Sequence, residues 1–121
     1  MADQAEFDLY LDGDVAVARA FGPGLRHPHH AQQFGADLAA LATQDGYKKV
    51  LLDLGHMKYL SSTGFATLLG AHQRMKEAGS RLALCNLHPD VAVGANIIGL
   101  GRIIDTYPTA DEGVASFTKA E

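Results

Sequence analysis

Three consecutive hydroxyls, Ser61, Ser62 and Thr63, separate the short apolar run Val50 to Leu54 from the apolar positions Phe65, Leu68, Leu69 and Met75. A serine or threonine hydroxyl can attack a carbonyl, accept a phosphoryl group or cap a helix, and each role demands different company. Attack requires a base within hydrogen-bond reach and a third group to orient that base. His56, His72 and Asp53 are the available candidates. A nucleophile elbow also needs Gly-x-Ser-x-Gly, but Leu60 occupies the first glycine position, so the spacing points away from hydrolysis and we expect no enzyme.

Other chemistries have weaker support. The stretch His27, Pro28, His29, His30 brings imidazoles together, yet no cysteine or paired carboxylate adjoins it. With Pro28 in a loop ahead of a helix, an exposed cluster rather than a metal site is expected. His72 shares a helix face with Phe65, Leu68 and Met75 and is expected to pack rather than to act as a base. There is no Gly-x-Gly-x-x-Gly after a strand and no Walker lysine, so no cofactor is expected. Anion or nucleotide binding at the helix starts near Ser62 and Pro89 is a minor alternative.

Bulk properties narrow the partners. At 121 residues with 47% hydrophobic residues, the chain is long enough to bury one core without staples, and a single domain over residues 1–121 is expected. Its net charge of −4, without a basic cluster, argues against nucleic acid. Cys85 is the only cysteine and lies in an apolar run, which predicts a buried, inert thiol in a reducing compartment. The acidic N-terminus carries no secretory signal, and no apolar run approaches the ~20 residues of a membrane helix. A cytoplasmic protein that inserts into no membrane is expected.

The elements that must position the hydroxyls follow from periodicity. Phe7, Leu9 and Leu11 alternate with polar residues, as do Val15 and Val17 beyond Asp12 and Gly13, which predicts a hairpin over residues 6–20 with a type I′ turn. Phe34, Leu38 and Leu41 mark a helix that stops near Gly46. Val50 to Leu54 reads as a central strand covered on both faces. Ser62 is read as the N-cap of the next helix, with Thr67, Gln73, Arg74, Lys76 and Glu77 on its polar face and Gly79 ending it. Arg81 to Asn86 reads as a strand. Pro89 opens a helix that buries Val91, Ala95 and Ile98 and closes at Gly99 or Gly101. Ile103 to Tyr107 is the last strand. Thr109 and Glu112 have capping-box spacing for a helix from Ala110 to about Lys119, with Val114 and Phe117 inward. A hairpin followed by αβαβαβα is an α/β fold with a mixed, mostly parallel sheet. Ligands of such sheets usually sit outside the carboxyl ends of the strands, which points to the loop from Gly55 to Ser62.

The run Leu51, Leu52, Asp53, Leu54, then Leu60, Ser61, Ser62, Thr63, Gly64, Phe65, resembles the STAS domain family. So do the later segments Lys76 to Gly79, Leu82 to Leu87 and Gly99 to Ile104. The family comprises anti-sigma-factor antagonists and the cytosolic domains of sulfate transporters, and the resemblance covers about residues 8–118. It implies a protein-interaction module of a partner-switching pathway. An anti-sigma factor or related serine kinase would bind through Met57, Lys58, Tyr59, Ser61, Ser62, Thr63 and Gly64 and be released by phosphate on Ser62. Thr63 is the alternative acceptor, and Asp53 supports the loop. Ser61 stands where the family has Asp, which removes a charge beside the acceptor. Under a second reading that departure marks a non-phosphorylated subunit of a larger sensory or lipid-transport assembly. A homodimer through the edge strand Phe7 to Leu11 is a further possibility left open by the sequence.

Overall fold

In a computed structural model, residues 6–22, 25 and 27–119 are described. The hairpin β1 (Glu6–Asp12) and β2 (Val15–Phe21) pairs Asp12 with Val15, leaving Gly13 and Asp14 as the two-residue turn. Only Gly13 has a positive φ, +63°. A type I′ turn would need a positive φ at both central residues, so this expectation is corrected: the sign pattern is that of type II′.

Three strand-bound helices follow in turn: α1 (Pro28–Thr43), β3 (Lys49–Asp53), α2 (Ser62–Glu77), β4 (Arg81–Cys85), α3 (Pro89–Ile98). One turn of 3₁₀ helix at Leu100–Arg102, the strand β5 (Thr106–Tyr107) and α4 (Ala110–Lys119) complete the order. The sheet runs β1-β2-β3-β4-β5, with β1 antiparallel to β2 and the rest parallel. This is the mixed, mostly parallel α/β sheet that the periodicity predicts.

Alternation along the strands sends side chains to two different cores. Ala16, Ala18, Val50, Leu52, Leu82 and Leu84 meet Phe34 and Leu38 of α1, Leu68 and Met75 of α2, and Val91 and Ala95 of α3. Val15, Val17, Leu51, Ala83 and Cys85 meet Phe117 of α4 on the opposite face. Gly113 lets α4 lie close, since a Cβ there would fall 2.7 Å from Leu51 Cδ1. The edge strand β1 exposes Leu9, Tyr10 and Leu11.

Some boundaries differ from the sequence reading. The helix α1 starts at Pro28, so His29 and His30 lie in its first turn rather than in a loop. β5 holds only Thr106 and Tyr107; Ile103 and Ile104 are drawn into the turn after the 3₁₀ segment by bonds from both of their amides to the Leu100 carbonyl. Ile98 is 47% exposed rather than inward, while Val91 and Ala95 are buried as expected. Among the described residues, no helix is long and apolar enough to cross a membrane.

Candidate functional site

β3 delivers the chain to the site. Asp53, buried at its end, accepts a bond from the Gly55 amide at 2.8 Å, which turns the chain out of the sheet. The Leu54 amide reaches across to the Cys85 carbonyl at 3.0 Å, and the Met57 amide closes back on the Leu54 carbonyl at 3.0 Å. Met57 and Leu60 are buried in the main core. Between them Lys58 and Tyr59 remain exposed. The loop is thus anchored by apolar side chains at two points and displays what lies between.

The helix then begins one residue earlier than the cap assignment required. Ser61, not Ser62, is the N-cap: its extended backbone (φ −73°, ψ 166°) precedes the helix and its Oγ accepts from the Gly64 amide at 3.0 Å. The same hydroxyl donates to the Leu25 carbonyl at 2.9 Å, and Ser61 is only 7% exposed. Ser62 is the first helical residue and is exposed, and among the described residues no hydrogen bond engages its hydroxyl. The prediction that Ser62 caps the helix is therefore corrected, because a cap needs the non-helical φ/ψ that only Ser61 has. Of the seven partner-facing candidates, Lys58, Tyr59 and Ser62 are at the surface, Thr63 is half-buried, and Met57, Ser61 and Gly64 lie beneath.

The hydrolytic arrangement is not assembled among the described residues. His72 lies ten residues beyond Ser62 in the same helix, about 15 Å away along the axis. Its Nδ1 is buried without a hydrogen-bond partner. Burial and the Lys76 ammonium hold its pKa below the ordinary value, against an opposing pull from Asp105. His56 stacks on Phe21 with ring centroids 5.1 Å apart, and Asp53 orients the Gly55 amide rather than an imidazole. The Cys85 thiol is pushed up to about 12, chiefly by burial and then by Asp53, which suits an unreactive sulfur.

The histidine cluster is structural as well. His27 caps α1, its Nδ1 accepting from the His29 amide at 3.2 Å, and its ring stacks on His30 at 4.6 Å. The same arrangement recurs at His88 and Pro89, where Nδ1 accepts from the Asp90 amide at 3.3 Å. The repeated His-Pro pair was the signal that could have placed the start of α1 correctly, since Pro favours the first helical position. Leu25 escaped the sequence reading altogether. It is buried with φ +60°, and nothing in an isolated leucine announces that conformation.

Pro28, His29, Gln32 and Gly35 of α1 face Thr63, Ala66, Thr67, Gly70 and Arg74 of α2 across an open groove of about 540 Å³. Among the described residues, no reversal of strand order occurs in the sheet. The crevice that holds ligands in doubly wound sheets forms where the order reverses, so this fold has no such crevice beside the loop.

The STAS domain model matches residues 27–113, and the chain belongs to that family. It is an anti-sigma-factor-antagonist-like member. A Bordetella bronchiseptica protein, BtrV, described as an anti-sigma factor antagonist, is 31% identical over 80% of this chain and 83% of its own length. The structure of the anti-sigma factor antagonist SpoIIAA in its unphosphorylated form superposes with a TM-score of 0.75 at 23% identity, covering 94% of this chain and 97% of that one. The Bacillus cell fate determinant SpoIIAA in its phosphorylated form gives 0.67 at 20% identity, covering 93% and 99%. At these identities the two structures bear on the fold alone.

Proposed function

We propose that this domain docks an anti-sigma factor with serine kinase activity through Lys58, Tyr59, Ser62 and Thr63, and that a phosphoryl group on Ser62 releases the partner in the cytoplasm. The observation that carries this reading is the division of labour between adjacent serines. Ser61 holds the helix cap, so the exposed Ser62 hydroxyl is left for other chemistry. A phosphate there adds a charge of about −1.5 to −2, which in a desolvated interface must find cations or pay a large solvation cost. The exposed Lys58, Tyr59 and Ser62, with no strand-order crevice among the described strands, suit a protein surface better than a small ligand. The family membership and the relative described as an anti-sigma factor antagonist support the choice of partner.

Calorimetric titration against the anti-sigma factor recovered by native pull-down tests the switch. Ser62→Ala should bind like the parent and, with the cap on Ser61 intact, should melt like it too. Ser62→Asp should bind at least tenfold more weakly, or about 1.4 kcal/mol. Equal affinities for the parent and Ser62→Asp would reject Ser62 as the switch and move the same pair of substitutions to Thr63.

A further inference from the structure

We propose that Ser61 is a positioning residue that fastens Leu25, and with it the start of α1, to the start of α2, so that His29 of α1 and Thr63 of α2 line one groove. The use of that groove by a partner rests on the docking reading above; the fastening does not. The hydroxyl of Ser61 makes two bonds of opposite sense, accepting from the Gly64 amide at 3.0 Å and donating to the Leu25 carbonyl at 2.9 Å. One atom that both donates and accepts is a property of serine and threonine; an ionised carboxylate only accepts.

Leu25 explains why the donor is needed. Its side chain is 2% exposed within the main core, and its backbone sits at φ +60°, a region that bulky residues rarely enter. A carbonyl buried at such a turn must find a donor, and Ser61 supplies it. Just beyond Leu25, His27 caps α1, and Pro28, His29 and Gln32 come to line one groove with Thr63 and Ala66. The Ser61–Leu25 hydrogen bond thus ties the chain leading into α1 to the start of α2. A carboxylate at position 61 would keep the cap and lose the join, with two acceptors facing each other.

Amide hydrogen exchange on the free protein separates the two bonds. Gly64 reports on the cap, and Ala31, whose buried first-turn amide bonds the His27 carbonyl at 2.9 Å, reports on the fastened loop. Ser61→Asp should leave Gly64 at the parental rate and speed exchange at Ala31 by about tenfold or more. Ser61→Ala should speed both, and Ser61→Thr, which keeps donor and acceptor, should restore both. Parental exchange at Ala31 in Ser61→Asp would show that the Leu25 side chain alone holds the loop and would overturn the proposal. If Ser61→Asp does not fold, the comparison of Ser61→Ala with Ser61→Thr decides the matter, since acceleration at Gly64 alone also overturns it. No partner enters the experiment, so its failure leaves the Ser62 reading standing, and the reverse also holds.

Discussion

On one face of the sheet three helices bury Leu52, Leu68, Met75 and Phe34 in a continuous apolar core, whereas on the other α4 is the one helix among the described residues and polar contacts share the load. There Arg81 donates to Asp105 at 2.8 Å, to the Tyr107 hydroxyl at 2.9 Å and to Ser116 Oγ at 3.2 Å. Its guanidinium also lies 4.5 Å from the Phe117 ring centroid. The loop proposed to dock a partner leaves the carboxyl end of β3 and is anchored by Met57 and Leu60, which belong to the three-helix side. The difference teaches that the surface proposed to bind a partner is backed by the larger apolar core, while the far side combines a smaller apolar cluster around Phe117 with the polar contacts of Arg81.

Substitutions on the α4 side should therefore damage stability without touching the loop. Phe117→Ala removes the one fully buried aromatic side chain of α4 and should cost about 3–5 kcal/mol in denaturant unfolding. Exchange protection at Gly64 against local opening should persist in that variant. Loss of Gly64 protection at the same free energy as α4 would show that the two faces form one cooperative unit and break the comparison.

Arg81→Met keeps a long apolar stem over Phe117 and removes the charged bonds. Its carboxylate partner Asp105 is well exposed, so solvent screens much of that pair, and the expected loss is about 1 kcal/mol in urea titrations. A loss as large as that of Phe117→Ala would mean that the cation, rather than the ring, secures α4.

The smallest effect concerns pH and lies on the three-helix side. The His72 imidazole titrates below its ordinary value of 6.5 in the folded chain. Between the folded and ordinary values the unfolded state binds more protons, so stability is full above about 6.5 and falls as pH drops towards the folded value. Thermal melts from about pH 7 to pH 5 should therefore show a declining Tm, and His72→Gln should flatten part of that decline. An unchanged slope in the variant would assign the decline to other groups.

Most of the architecture was legible because it is written in periodicity. The alternation at Phe7, Leu9 and Leu11, the helical spacing of Leu68 and Met75, and the capping box at Thr109 all name their elements locally; the Glu112 amide does bond Thr109 Oγ1, at 3.1 Å. Gly79 and Gly99 end α2 and α3 with φ of +82° and +71°. What was illegible depends on contacts distant in sequence. Which of two adjacent serines caps α2 is decided partly by Leu25, 36 positions before Ser61. The short β5 reflects the capture of Ile103 and Ile104 by the preceding turn, which a run of apolar residues cannot reveal. At the candidate site, Ser62 was expected to cap α2; Ser61 takes that role and leaves the Ser62 hydroxyl exposed.

The order of the strands in space is the order of the strands in the chain, and this bears on how the molecule assembles. Each new strand adds to the growing edge, so none has to be inserted between two that have already paired. Contacts across the sheet then join segments separated by a single helix, which keeps the entropy of loop closure low for a parallel architecture. The chain can build outward from the β1-β2 hairpin in the direction of synthesis, with α4 covering the face opposite α1, α2 and α3.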